Sequence, residues 1–320
     1  MSEATASGTP SEGTANEGTA TEVATRCGTV AIVGRPNVGK STLLNAILDA
    51  HLSIVTPKAQ TTRKRVLGIA TDENAQLIFI DTPGLIKPKY KMQHSMMGYV
   101  DDSLNEADVL CVVVDVVKAF DDKTILDTFT TPILTKYRDK PAVLVLNKMD
   151  ALHLKTEALF LMEEARLSGF YKRAVAVSAL ENKEVDALVD ILKGLVPKGP
   201  FLYDKDQLST LPERFFVAEL IREAIYFQYR EEVPYSTDVT IVEFEERENG
   251  KWYIAADIIV ERETQKGILI GAQGEALKMV GEFSRAAIEK HLQHPVFLEL
   301  YVKVRQDWRN DKAQLTGLGY

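Results

Sequence analysis

Thr29-Val30-Ala31-Ile32-Val33-Gly34-Arg35-Pro36-Asn37-Val38-Gly39-Lys40-Ser41-Thr42 is the stretch that decides the fold. A β-rich apolar run ends at a glycine, and Gly34 to Ser41 matches G-x4-G-K-[ST]. That motif requires a strand before it and a helix after it; Thr29–Val33 reads as the strand and Thr42–Leu48 as the helix. The pattern describes a phosphate cradle. Glycines let the backbone wrap the anion, and successive N–H groups at a helix N-terminus face it. Lys40 is expected to reach the β and γ phosphates and the Ser41 hydroxyl to ligate Mg²⁺; Arg35, Pro36, Asn37, Val38 and Thr42 complete the loop.

Working outward, further short motifs each follow an apolar run. Asp81-Thr82-Pro83-Gly84 caps Leu77–Ile80, where an acid can hold Mg²⁺ through water and the Gly84 N–H can meet a γ-phosphate. Asn147-Lys148-Met149-Asp150 caps Ala142–Leu146. The Asp150 carboxylate can accept the N1–H and N2 amine of guanine, and Asn147 can pair with O6/N7. Adenine would leave a buried carboxylate unpaired, a discrimination of about 10⁴–10⁵. Ser178-Ala179-Leu180 follows Ala174–Val177 and offers a backbone N–H to guanine O6. In this order the motifs imply GTP binding rather than ATP or kinase chemistry. Between Ser53 and Arg65 the chain is polar, and Thr61 or Thr62 is expected to sense the γ-phosphate through Mg²⁺, with Thr62 preferred. Lys58, Arg63, Lys64 and Arg65 in that segment read equally as a solvated basic loop or as contacts. No general base is evident. Leu85 stands where many signalling G-domains carry a water-orienting Gln, so intrinsic hydrolysis is expected to be slow, with Lys40, Thr62 and Gly84 as the phosphate and transition-state contacts. Asn37 is a candidate for seating K⁺ beside the phosphates.

From Gly28 to about Val196, apolar runs (Val109–Val114 among them) alternate with helical patterns, which predicts a mostly parallel α/β domain. Pro197, Gly199, Pro200 and Pro212 punctuate a linker, 197–212, between a first domain over 26–196 and a second over 213–320. The second reads as α+β: an amphipathic segment Arg214–Tyr229, strands Asp238–Phe244 and Trp252–Val260, a short apolar run Ile268–Ile270, a helical stretch to about His291, and a last strand Val296–Val304. Ile270-Gly271-Ala272-Gln273-Gly274 entering a helix is the scheme of a KH domain on single-stranded RNA, in which a G-x-x-G turn approaches sugar–phosphate beside an apolar groove.

Composition sets the outer bounds. The chain has 320 residues, 45% of them hydrophobic and 26% charged, which suits two soluble domains. No run approaches the ~20 apolar residues of a membrane span, and the N-terminal segment lacks the order of a signal peptide, which predicts a cytoplasmic protein. Its two cysteines, Cys27 and Cys111, fall in strand-like runs and read as reduced core residues; the scattered histidines have no zinc spacing. The net charge of −8 divides unevenly: residues 1–25 carry four Glu and no Lys or Arg, and from Phe201 onward 15 Lys/Arg face 21 Asp/Glu. An RNA site must therefore be a local patch. Residues 1–25 are too poor in large apolar side chains to fold and are expected to be a disordered tail.

GRPNVGKS, KAQTTR, DTPG, NKMD and SAL, then ILIGAQG and LELYVKV, together resemble the Era family of bacterial GTPases, from about Gly28 to Tyr320. The resemblance implies a Ras-like G-domain followed by a type II KH domain. It also implies binding of GTP/GDP and of 16S rRNA near its 3′ end, action in assembly of the 30S ribosomal subunit, some association with the inner membrane surface, and a monomer. One departure stands out: the family's G-x-x-G loop usually carries a Lys, whereas this one has Ala272 and Gln273. Phosphate attraction should then shift to Lys278, Arg285, Lys303, Arg305 and Arg309. Rival readings are a switch for a membrane or cell-division partner, with the C-terminal domain binding protein, and a passive RNA adaptor in which GTP is structural.

Overall fold

The structure is a computed structural model that describes residues 25–153 and 156–320. The expected N-terminal tail lies outside the described residues except for Thr25. The first half is built on strands β1 (Arg26–Val33), β2 (Val66–Thr71), β3 (Ala75–Asp81), β4 (Val109–Asp115), β5 (Ala142–Asn147) and β6 (Arg173–Ala176) in one sheet of order β2-β3-β1-β4-β5-β6. Helices α1 (Lys40–Leu48), α2 (Lys91–Glu106), α3 (Val116–Asp121), α4 (Thr130–Lys136), α5 (Thr156–Ser168) and α6 (Val185–Leu195) accompany it. All pairings are parallel except β2 with β3, and the apolar runs of β1, β4 and β5 are buried, as strands covered on both faces must be. Both cysteines are buried and free, in β1 and β4. The antiparallel β2 is the strand the sequence reading missed. Its run is interrupted by Gly68, where the strand lies against α1: a Cβ there would stand 2.5 Å from Leu48 Cδ1.

The second half orders as α7 (Glu213–Gln228), β7 (Asp238–Glu245), β8 (Trp252–Val260), α8 (Glu263–Ile270), α9 (Glu275–Leu292), β9 (Val296–Val304) and α10 (Lys312–Gly317). Its sheet runs β7-β8-β9, antiparallel then parallel. The apolar run Ile268–Ile270 proves to be the last turn of a helix. Three apolar residues carry no period of their own; the helix is set earlier, where Gln265 Oε1 accepts the N–H of Glu261 (2.9 Å) and of Arg262 (3.1 Å) at its start.

The punctuated stretch 197–212 is stitched to the first sheet. Buried Gln76 accepts the N–H groups of Leu202 (2.8 Å) and Tyr203 (3.0 Å), and the Ile69 N–H donates to Leu208 O at 2.8 Å, extending the open edge of β2. The halves also share a core: Trp308, fully buried, and Ile259 cluster with Met92 and Met96 of α2. No helix among the described residues is long and apolar enough to cross a membrane.

Candidate functional site

In the first sheet β1 lies between β3 and β4, so chain connections leave its C-terminal end in opposite directions and open a crevice there. Gly34–Ser41 fills that crevice. Gly39 has φ 94°, and a Cβ on it would lie 2.3 Å from Asn147 Nδ2, so only glycine lets the loop close onto β5. Lys40 is buried, with Nζ donating to the carbonyls of Gly34 (3.2 Å) and Arg35 (3.1 Å). Burial pushes its pKa down to about 8, with the nearby Asp81 carboxylate acting in the opposite direction. A desolvated ammonium with only carbonyl partners is primed for a stronger anionic acceptor.

Beside it the Ser41 hydroxyl donates to Asp81 Oδ2 at 2.6 Å, and Thr62 Oγ1 lies 2.8 Å from Ser41 Oγ and 3.3 Å from Asp81 Oδ2. Asp81 is fully buried, its Oδ1 has no hydrogen-bond partner among the described residues, and burial raises its pKa. Two hydroxyls and an under-satisfied carboxylate form an all-oxygen donor set, which fits a hard divalent cation such as Mg²⁺. Of the two threonines weighed from sequence, it is Thr62 whose hydroxyl joins this cluster. Thr82 anchors the following turn by donating to Ile32 O (2.7 Å); Gly84 backs onto Pro36, and the Leu85 N–H donates to Gly34 O at 3.0 Å. The Leu85 side chain is buried in the core. Arg35 extends over the Phe129 ring at 5.7 Å.

A cavity of about 540 Å³ runs from this cluster past Thr42 toward Lys148 and Leu180. Asp150 receives a 2.5 Å hydrogen bond from Ser178 Oγ, a support the sequence reading did not foresee because it took from Ser178-Ala179-Leu180 only a backbone N–H. One expectation changes here: Asp150 is exposed, so the penalty for an unpaired carboxylate arises only beneath a covering purine. Asn147 braces the site: its Nδ2 donates to Val38 O (2.9 Å) and its Oδ1 accepts the Ala179 N–H (3.0 Å), which ties the phosphate loop to the loop after β6. Lys148, in the left-handed region at φ 72°, pairs with Asp115 at 2.8 Å, and the Met149 N–H donates to Val177 O.

The basic segment is not aimed at the cavity, and three of its four cations reach into the second half. Lys58 donates to the carbonyls of Tyr226 and Tyr229; Arg63, 2% exposed, donates to those of Pro234 (2.9 Å), Tyr235 (3.0 Å) and Thr237 (2.6 Å); Lys64 donates to that of Leu318 (2.5 Å). Arg65 pairs with Glu106. The loop holding Thr62 is thus bolted to the second half of the molecule, a role no local pattern could reveal because the acceptors of Lys58, Arg63 and Lys64 are mostly distant backbone carbonyls.

In that second half, Gly271 (φ 70°), Gln273 (φ 53°) and Gly274 (φ 83°) turn the chain from α8 into α9, leaving Ala272 and Gln273 exposed after the half-buried Ile270. A groove of about 390 Å³ begins at Gly274 and runs between α9 and β9, lined by Leu277, Phe297, Leu298 and Leu300 with Lys278 and Arg285 at its side. Of the other cations expected here, Lys303 is not among the residues lining the groove and pairs with Asp257 at 2.6 Å. Arg309 pairs with Glu261 and lies over the Tyr90 ring at 5.0 Å, across the contact between halves.

Fold and site together define a P-loop GTP-binding protein with a KH module. The family model described as "50S ribosome-binding GTPase" matches residues 29–148, and that of the KH domain matches 232–309. The chain is 41% identical over 298 residues to the GTPase Era of Clostridium botulinum (strain Eklund 17B / Type B), covering 92% of this chain and 98% of that one. It is 43% identical over 304 residues to the GTPase Era of Geotalea uraniireducens, covering 94% and 99%. Among solved structures, an Aquifex aeolicus Era variant bound to GDP·AlF4⁻ superposes with a TM-score of 0.85 at 39% identity. Era in complex with MgGDPNP and nucleotides 1506–1542 of 16S ribosomal RNA superposes with 0.87 at 38%; each match covers 92% of this chain and 99% of the other. The chain belongs to the Era family of GTPases.

Proposed function

We propose that this GTPase is a slow switch that binds 16S rRNA near its 3′ end through the α9–β9 groove and acts in assembly of the 30S subunit, as a cytoplasmic monomer. Residues 26–196 form the GTP-binding unit, 197–212 the connection and 213–320 the RNA-binding unit. The observation that carries this reading is a single loop: Thr62 joins the Ser41–Asp81 oxygen cluster while its neighbours Lys58, Arg63 and Lys64 hold the KH half. A loop ordered by nucleotide at one end and gripping an RNA-binding module at the other is the physical requirement for coupling.

Ser41, Thr62 and Asp81 would hold Mg²⁺, which when bound neutralises charge building on the phosphates. Lys40 and the N–H groups of Gly34–Ser41 orient the β and γ phosphates, and the Gly84 N–H faces the γ-phosphate. Asp150, oriented by Ser178, selects guanine. With Leu85 buried, that position offers no side chain to take a proton from water, and slow turnover is the expected result. Asn37 and the carbonyl-bearing segment Val55–Pro57 line the same cavity, neutral oxygens of the kind K⁺ prefers. Faster hydrolysis in K⁺ than in Na⁺ supports that seat; equal rates remove it.

Crosslinking in cells followed by RNA sequencing tests the whole reading. Wild-type protein should give a peak at the 16S 3′ end that Gly271→Asp/Gly274→Asp loses; a peak that survives, or lies elsewhere, defeats it. For nucleotide choice, Asp150→Asn should cut the preference for GTP over ATP by about 10²-fold or more in titration calorimetry.

A further inference from the structure

We propose that Arg222, on the first helix of the RNA-binding half, is a positioning residue for GTP hydrolysis: it fixes the Thr61–Thr62 peptide and so aims Thr62 at the metal and γ-phosphate. The inference rests on the reading of Thr62 above and adds a part from the other half of the molecule.

Arg222 is 1% exposed, and its carboxylate partner, Glu219, is one turn away on the same helix. Glu219 accepts from Nε at 2.8 Å and from Nη2, so the guanidinium plane is set by a two-point clasp. Nη2 also donates to Thr61 O. The plane is stacked by the Tyr226 ring, 5.4 Å from the guanidinium carbon, and Tyr226 OH donates to Gln60 O at 3.2 Å. Helix α7 therefore holds two successive carbonyls, those of Gln60 and Thr61, immediately before Thr62. Its next residue, Glu223, accepts the Val55 N–H at 2.9 Å, gripping the same loop nearer its start.

Two points argue that this arrangement serves position rather than stability. Nη1 of Arg222 is buried and has no hydrogen-bond partner among the described residues, and a second buried guanidinium, Arg63, lies against the same tyrosine. Burying an incompletely satisfied charge opposes folding, and an apolar side chain of similar volume would pack here at lower cost. What the arginine supplies and an apolar residue cannot is a donor to one carbonyl. The peptide group is planar and trans, so a carbonyl held toward Arg222 points the Thr62 N–H to the opposite side. Thr62 lines the nucleotide cavity, and its hydroxyl already lies 2.8 Å from Ser41 Oγ. Both Thr62 groups that can report on a γ-phosphate are thus oriented by one contact from the RNA-binding half.

The test uses the full chain with Arg222→Gln, Arg222→Lys, Glu219→Gln and Thr62→Ala. Affinities for GDP and for a non-hydrolysable GTP analogue, the Mg²⁺ dependence of hydrolysis, and kcat are measured on each variant. Arg222→Gln should leave GDP affinity within about twofold, weaken the GTP analogue about tenfold, raise the Mg²⁺ needed for half-maximal rate several-fold, and lower kcat by about 10–100-fold. Arg222→Lys, which keeps a donor but not the fork, should recover part of that loss. Glu219→Gln, which keeps the arginine and loosens its clasp, should fall between wild type and Arg222→Gln; it also stands in should Arg222→Gln fail to fold. Equal weakening of GDP and GTP, or unchanged Mg²⁺ dependence and kcat in a folded variant, overturns the proposal. Thr62→Ala separates the two levels. If it hydrolyses GTP like wild type, the Thr62 reading itself fails; if it is impaired while Arg222→Gln and Glu219→Gln are not, only the Arg222 inference does.

Discussion

The molecule carries two glycine turns that lead into helices, and they are built differently. Around Gly39 the protein closes on itself: a Cβ would strike Asn147 Nδ2 at 2.3 Å, and Lys40 beside it is desolvated. Around Gly274 a Cβ would meet nothing within 4 Å, and the loop residues Ala272 and Gln273 are exposed. The first turn is shaped by neighbours from β5 and β3 and borders the cavity of about 540 Å³. The second is open at Gly274 and tight only at Gly271, where a Cβ would lie 2.6 Å from Ala276 Cβ at the start of α9. The difference in ligand is written in what surrounds the glycines, not in the glycines.

Alanine at both positions gives the largest contrast. Gly39→Ala combines a forbidden torsion with a collision and should weaken GTP binding by about 100-fold or more. Gly274→Ala bears torsional strain only and should lower RNA affinity by about fivefold at most, read by filter binding. Equal losses would break the comparison. The next effect is of opposite sign for stability and binding. Lys40→Met removes a buried charge and should stabilise the nucleotide-free protein by about 1–3 kcal/mol in urea unfolding at pH 7 while abolishing tight GTP binding. The pH course follows from the same shift. The lysine sheds its proton in the folded state near 8 and in the unfolded state near 10.5, so wild-type stability should rise with pH across that window, and the Met variant should lack the rise.

Smaller effects sharpen the second site. Arg285 lines the groove and Lys303 does not, so Arg285→Ala should cost RNA affinity about threefold to tenfold and flatten its salt dependence, whereas Lys303→Ala should leave both unchanged. The smallest concerns the contact between halves. His51 Nε2 lies 3.0 Å from Glu223, and that hydrogen bond raises its pKa against a smaller opposing effect of burial. A raised histidine pKa adds stability below the ordinary value that is lost as pH climbs through the folded one. His51→Ala should therefore cost well under ~1 kcal/mol at pH 6 and nothing at pH 8, since the imidazole is half exposed.

How much was legible varies along the chain for physical reasons. The strands β1, β3, β4 and β5 announce themselves because burial on both faces demands uninterrupted apolar runs. Strand β2, with Gly68 inside it, does not, and Ile268–Ile270 is too short to show a helical period. Lys40, Ser41, Asp81 and Asp150 stand out in the sequence because each lies in a short motif placed directly after an apolar strand. The bracing contacts of Asn147 and Arg63 stayed hidden because their main partners are backbone groups far along the chain, Val38 O and the Ala179 N–H for one and the carbonyls of Pro234, Tyr235 and Thr237 for the other, which no residue type advertises.

Sequence alone therefore determined the class of chemistry: the phosphate loop, the motifs at the ends of the strands after it, and a G-x-x-G turn in a second domain all depend on local spacing and residue type. Tertiary structure alone decided which threonine joins the oxygen cluster, that the basic segment grips α7 and its neighbours instead of solvent, and which cations reach the groove. Those outcomes depend on which backbone carbonyls and sheet faces folding brings within hydrogen-bond reach, and such distances exist only once the two halves have packed.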